Sequence, residues 1–339
     1  GEAFIMARRE WEVEDLLDGY VNAPPEPVTS KLSSEPSLRS HVLALISTEG
    51  PLRLEDLVDF MSRTFYAVQY PLRAIRVNVI RVASFLKRNS FIEEEGGVLR
   101  ATYLGRRVSE LYIDPLTAVT LVKGLKSKPE ATEVGYLHLI SFTSELPSLY
   151  LRRGEEEAVS KELSRHLNEL LIPPPEDEYE YEIYLAKFKT ALLLRDWIEE
   201  VPEDSIIRKY DVGPGDIYAI VQASEWLLYS AYEICKALGL YDHLMPLLKL
   251  RERVKEGVKE ELLELTRIKG IGRVRARILY NYGYRSLEDL RGARLEALAS
   301  LPSIGLELAK RIKEYVEKGG EGAIEIRGAQ VETTLDEYF

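Results

Sequence analysis

Ile268-Lys269-Gly270-Ile271-Gly272-Arg273-Val274-Arg275-Ala276-Arg277 sets two glycines immediately before a run of three arginines. Two glycines two positions apart allow backbone angles that side chains forbid, and they let the backbone come close to another surface. The helix that follows starts with free N–H groups pointing outward, which makes an anion site. Arg267, Lys269, Arg273, Arg275 and Arg277 supply five cations, and no acid interrupts residues 267–277. An anion-binding helix start inside a basic run predicts contact with a phosphate backbone. The candidate binding residues are therefore Lys269, Gly270, Gly272, Arg273, Arg275 and Arg277. A weaker copy follows at Leu301-Pro302-Ser303-Ile304-Gly305-Leu306-Glu307-Leu308-Ala309-Lys310-Arg311. For that copy an ordinary tight turn between two helices stays an equal alternative.

Two such units about thirty residues apart resemble the tandem helix-hairpin-helix modules of DNA repair and replication proteins. The rest of the chain is long enough to hold more than this module, because 339 residues predict two to four domains. A composition 45% hydrophobic and 30% charged is that of a globular protein. No run of about eighteen apolar residues occurs, so no membrane span or membrane partner is expected. The lone Cys235 fits a reducing cytoplasm. The four histidines (His41, His138, His166, His243) are scattered and give no metal-ligand cluster. Three Gln and five Asn beside many Glu, Lys, Arg and Tyr fit a protein from a hot environment.

Net charge is −11, which argues against a chain that coats nucleic acid uniformly. The charge is uneven. Residues 154–203 hold fourteen acids and five bases, whereas residues 250–318 hold sixteen bases and eleven acids. Any DNA contact is expected to be local and towards the C-terminal end.

The elements are expected in a definite order. Residues 1–30 look like the end of a larger unit: a buried strand at Ala3-Phe4-Ile5-Met6-Ala7, a short helix from Glu12 to Tyr20, and a stiff Pro-rich linker over 22–28. Amphipathic helices over about 37–48, 53–67 and 72–89 precede a β-hairpin turning at Glu95-Gly96-Gly97, the layout of a winged helix over 31–113. Asp114-Pro115 then caps a helix, and 114–257 reads as one helical bundle. The helix-hairpin-helix module covers 258–318, and a polar tail covers 319–339. The fold class is mainly α.

One helix of the bundle carries a second candidate surface. From Gly215 to about Leu238, Ile217, Ile220, Val221, Ala223, Leu227, Leu228, Ala231 and Ile234 share an apolar arc. Tyr218, Gln222, Glu225, Tyr229 and Glu233 lie opposite, and Trp226 lies at the edge of the polar set. A tryptophan on the wet face, flanked by tyrosines and an amide, can stack on unpaired bases. Packing against a neighbouring domain is the equal alternative for Trp226.

This order of parts resembles the C-terminal half of archaeal superfamily-2 DNA helicases of the Hjm/HelQ group. The resemblance rests on Pro25-Glu-Pro-Val-Thr-Ser-Lys-Leu32, Thr102-Tyr-Leu-Gly105 and Tyr112-Ile-Asp-Pro115. It continues through Arg195-Asp-Trp-Ile198, Gly213-Pro-Gly-Asp216, Glu225-Trp226-Leu227 and the glycine-arginine run. It implies a ratchet bundle whose tryptophan, here Trp226 with Tyr218, Gln222 and Tyr229 beside it, stacks on single-stranded or forked DNA. It also implies a helix-hairpin-helix that grips the emerging strand. A basic ratchet residue of that family falls here on Ala219, a departure. The resemblance further implies two RecA-like motor domains of the same helicase that use ATP and Mg2+, with roles in fork repair and recombination. No G-x-x-x-x-G-K-[ST] loop occurs in this sequence, so neither cofactor is expected in this chain and ATP hydrolysis is not expected from it alone. The alternative reading is a non-catalytic adaptor linking branched DNA to the sliding clamp. Leu335, Tyr338 and Phe339 in the tail resemble the peptide that docks into the clamp PCNA, with Glu332 where glutamine is expected.

Overall fold

A computed structural model describes residues 1–318 of the chain. The winged helix forms as the hydrophobic pattern dictates. Helix Glu35–Thr48 leads into strand β1 (Leu52–Arg53), followed by helices Leu54–Ser62 and Leu72–Arg88. Strands β2 (Ile92–Glu95) and β3 (Val98–Ala101) then make the wing. Helix Leu72–Arg88 buries Ile75, Val79, Val82, Ala83 and Leu86, one stripe at helical spacing. The sheet has the order β1-β3-β2 and is antiparallel, with Leu52 and Glu94 both opposite Leu99. Strand β1 was not expected, because two residues carry no alternation to read. The expected helix over 53–67 is broken at Arg63–Thr64 and resumes as Phe65–Gln69.

Residues 3–7 form no strand. Phe4 and Met6 are 84% and 89% exposed, because the described residues offer this segment no partner for its backbone groups. Glu12–Leu16 is helical as expected and continues as a π-helical turn over Leu17–Val21. The linker is tied down by Gln69, whose Nε2 donates to the Val28 carbonyl at 2.6 Å while its Oε1 accepts from the Ser30 N–H at 2.8 Å.

The helix after Asp114 starts at Pro115, as expected. Asp114 caps helix Pro115–Ser127 by accepting from the Leu116 N–H at 3.0 Å. The same carboxylate takes both arms of buried Arg39, at 3.0 and 2.8 Å, across the seam with the winged helix. Asp177 likewise caps helix Glu178–Ile198, and the acidic start of that helix is solvated. The long helix Pro214–Leu238 runs through the middle of the bundle and packs against Leu244–Glu256, Pro115–Ser127 and the winged-helix helix Tyr103–Glu110. Its first half is amphipathic as expected. From Leu227 to Cys235 it is buried on nearly every side, so Glu233, expected on the wet face, is buried and paired with Arg107 and Lys236.

One apolar core runs unbroken from Leu38 to Val254, through winged helix and bundle together. A second, separate core runs from Val258 to Val316 in the helix-hairpin-helix module. Among the described residues no helix is long and apolar enough to cross a membrane. No group of three or more His, Cys, Asp or Glu side chains is placed to hold a metal ion among them either. The tail residues Leu335, Tyr338 and Phe339 lie outside the described residues.

Candidate nucleic-acid interface

The two hairpins have the same backbone, offset by thirty-three residues. Gly270 and Ser303 both take left-handed angles, φ +94° and +61°. Gly272 and Gly305 are both extended caps, with φ −96° and −84°, in front of helices Arg273–Asn281 and Leu306–Glu317. Each turn closes with the same bond: Ile271 N–H to the Ile268 carbonyl at 2.8 Å, and Ile304 N–H to the Leu301 carbonyl at 3.1 Å. The second copy is therefore a true hairpin of the same type. A Cβ on Gly270 would sit 3.2 Å from the Leu308 methyl, whereas one on Gly272 would meet nothing within 4 Å among the described residues. The first glycine serves the turn, and the second leaves its helix start open to a ligand.

The cations of the run have different surroundings. Lys269 is exposed beside the turn. Arg275 joins the two hairpins: its Nε donates to the Ser303 carbonyl at 2.9 Å and a terminal nitrogen to the Gly270 carbonyl at 2.8 Å. Arg273 turns back onto the bundle. Its guanidinium stacks on the Trp197 ring, 4.6 Å from the centroid, and donates to the Val201 carbonyl. Burial there pulls Arg273 below its ordinary pKa. Arg277 grips Glu200 with two bonds, 2.8 and 2.7 Å, and also reaches Glu261 at 2.9 Å. The structure thus gathers Lys269, Gly270, Gly272 and Arg275 at the hairpin ends, and places Arg273 and Arg277 against the bundle.

On the long helix, Tyr218, Gln222, Trp226 and Tyr229 follow one another at spacings of four, four and three, which lines them up on one side. Tyr218 is 64% exposed and accepts from Gln222 Nε2 at 2.6 Å. Trp226 is 36% exposed, and its indole N–H donates to the Leu111 carbonyl at the end of the winged helix, 3.0 Å away. The ring edge is anchored and part of the ring remains open. Tyr229 is half-buried between two arginines. Arg107 reaches its hydroxyl at 3.3 Å, and Arg251 lies over its ring at 5.0 Å. Each arginine is also paired with a carboxylate, Arg107 with Glu233 and Arg251 with Glu225. Ala219 is exposed and offers no charge. Sequence reading missed Arg107, Arg251, Trp197 and Glu200, since each meets its partner across twenty-two to more than a hundred residues and no local spacing reports that.

Residues 134–257 match the family described as archaeal helicase, domain 4, and residues 262–318 match the SAM-like helix-hairpin-helix tandem. The chain is 40% identical over 319 residues to the ATP-dependent DNA helicase Hel308 of Methanocella arvoryzae, covering 92% of this chain and 43% of that protein. The chain is homologous over nearly its whole length to the C-terminal part of archaeal Hel308 helicases. It is 38% identical to the Hel308 helicase of Pyrococcus abyssi over 94% of the chain and 45% of that protein. It is also 38% identical to that of Thermococcus kodakarensis, over 93% of the chain and 28% of that protein. The matched part is the C-terminal part of these relatives, and the chain spans less than half their length. Within the family match, the domain 4 segment carries the long helix with Trp226, and the helix-hairpin-helix segment carries both hairpins.

Proposed function

We propose that this chain is the strand-handling region of a 3′→5′ DNA helicase. In this reading single-stranded DNA from a fork crosses the long helix and a base stacks on the open part of Trp226. Tyr218, Gln222 and Tyr229 flank that base. The hairpins then take the emerging backbone: free N–H groups at the starts of Arg273–Asn281 and Leu306–Glu317 meet phosphates, with Lys269 beside them. ATP and Mg2+ act in RecA-like motor domains outside this sequence, and this chain's part is to bind, orient and hold the strand. The biological setting we propose is fork repair and recombination, with Leu335, Tyr338 and Phe339 as the contact to the sliding clamp PCNA.

The observation that carries the reading is Trp226 itself. A tryptophan on a helix that runs through a packed core keeps more than a third of its surface open, in line with an exposed tyrosine and an amide. Stacking of this kind tolerates any base sequence, as a translocating protein requires.

Fluorescence anisotropy with a single strand and a 3′-tailed fork, repeated across salt concentrations, tests the reading. Binding that weakens as salt rises is expected. Replacing Arg267 and Lys269 by Gln should reduce the salt slope by about 0.7 for each phosphate contact removed. Absence of binding to either DNA at low salt would overturn the proposal.

A further inference from the structure

The two apolar cores do not merge: the first ends at Val254 and the second begins at Val258. What sets the position of the helix-hairpin-helix module on the bundle is therefore a small set of polar and stacking contacts. They converge on the corner after helix Glu178–Ile198. Glu200 sits there with left-handed backbone, φ +62°, a conformation that a residue with a side chain rarely adopts. That turn points its carboxylate into the joint, where the side chain is only 11% exposed. It accepts from Arg277 twice and from the Lys259 N–H at 3.0 Å, so it holds both the start of the module and its first hairpin helix.

The surrounding contacts reinforce the same geometry. Trp197 donates its indole N–H to the Val254 carbonyl at 2.8 Å. Gly257 lies against that ring so closely that a Cβ would fall 2.6 Å from it, and its φ is +66°. Arg273 covers the ring. Buried Arg253 donates to the Val258 carbonyl at 3.2 Å and to Glu199 at 2.8 Å. Burial opposes ionisation of Glu200, but Arg277 and the Lys259 N–H outweigh it and hold the carboxyl below its ordinary range.

We propose that Glu200 is the positioning residue that fixes the helix-hairpin-helix module on the bundle, and that Arg277 and Arg273 are joint residues and not phosphate ligands. The inference rests on the strand-handling reading above, because it explains how one strand meets the long helix and the hairpins together. Two weak sites held at a fixed separation bind a strand that spans both far better than a strand that reaches one. Glu200 supplies the fixed separation.

The test has two arms, both on the full chain. Spin labels at exposed Tyr241→Cys on the bundle and Tyr282→Cys on the module, in a Cys235→Ala background, report the separation by pulsed electron paramagnetic resonance without DNA. Glu200→Gly removes the carboxylate and relieves the left-handed backbone, so it keeps the fold. The expected result is one narrow distance in the parent, and a broad distribution in both Glu200→Gly and Arg277→Gln. The second arm compares a strand of about 6 nucleotides with one of about 20. Both variants should weaken binding of the long strand about five- to ten-fold and leave the short strand no weaker. An unchanged distance distribution in Glu200→Gly would overturn the proposal. So would an Arg277→Gln variant that loses both strands equally, since that marks a phosphate ligand. If the parent gains nothing from the longer strand, the strand-handling reading fails, while the distance arm still decides the joint.

Discussion

His138 shows how much a single side chain can couple this bundle to its solvent. Among the described residues neither ring nitrogen has a hydrogen-bond partner, and the ring is wholly buried among Phe142, Tyr184 and Phe188, with centroids 4.9, 4.8 and 5.8 Å away. Burial without a partner disfavours the charged form and pulls the pKa down from 6.5 to about 3. Below 6.5 the unfolded chain takes up a proton that the folded chain refuses until about 3. Stability therefore falls as pH falls through that window, by up to about 1.4 kcal/mol per pH unit from this one group. His138→Phe fits the aromatic surroundings and has no proton to take up. Its urea midpoint should drop less than the parent's between pH 7 and pH 4.5. An equal drop in both proteins would show that the buried ring carries no such penalty.

Among the elements, the hairpin was the most legible and the joint the least. Gly-x-Gly before a basic helix predicts a turn, a cap and an anion site, and the structure has the turn and the cap. The two glycines nevertheless do different work, which the motif alone does not say. Gly270→Ala meets a left-handed backbone and the Leu308 methyl, so it should cost about 1 kcal/mol or more and lower the melting temperature. Gly272 has an extended backbone and open space, so Gly272→Ala should leave melting nearly unchanged while weakening DNA binding, because a methyl then stands in front of the helix start. Equal loss of stability in the two variants would refute this division. The winged helix was legible from helical stripes and the Gly96–Gly97 turn, but β1 was not, being two residues long. Helical periodicity placed Trp226 at the edge of the wet face. It could not show that the indole N–H meets Leu111, 115 residues earlier, or that Arg273 lies on Trp197. The wheel also failed for Glu233, because the second half of that helix is surrounded by its neighbours.

At the scale of the whole molecule, the chain divides by core and by charge. Winged helix and bundle share one core and act as one body, into which the acid-rich residues 154–203 fold. The base-rich module has its own core and meets that body through Trp197, Glu200 and Arg253. The long helix belongs to the first body and the hairpins to the second, so in the proposed function the strand is held at two points. In that proposal the first of these points is the open ring of Trp226. The most direct measurement is an anisotropy titration of a 3′-tailed fork with Trp226→Ala and Trp226→Phe beside the parent, at one salt concentration. Stacking on an aromatic ring is worth roughly 1–3 kcal/mol per base. Trp226→Ala should therefore bind about five-fold or more weakly, while Trp226→Phe, which keeps a ring but loses the bond to Leu111, should retain most of the affinity. Full affinity in both variants would make Trp226 a packing residue and contradict the account, and equal loss in both would assign its effect to the Leu111 contact instead of the ring.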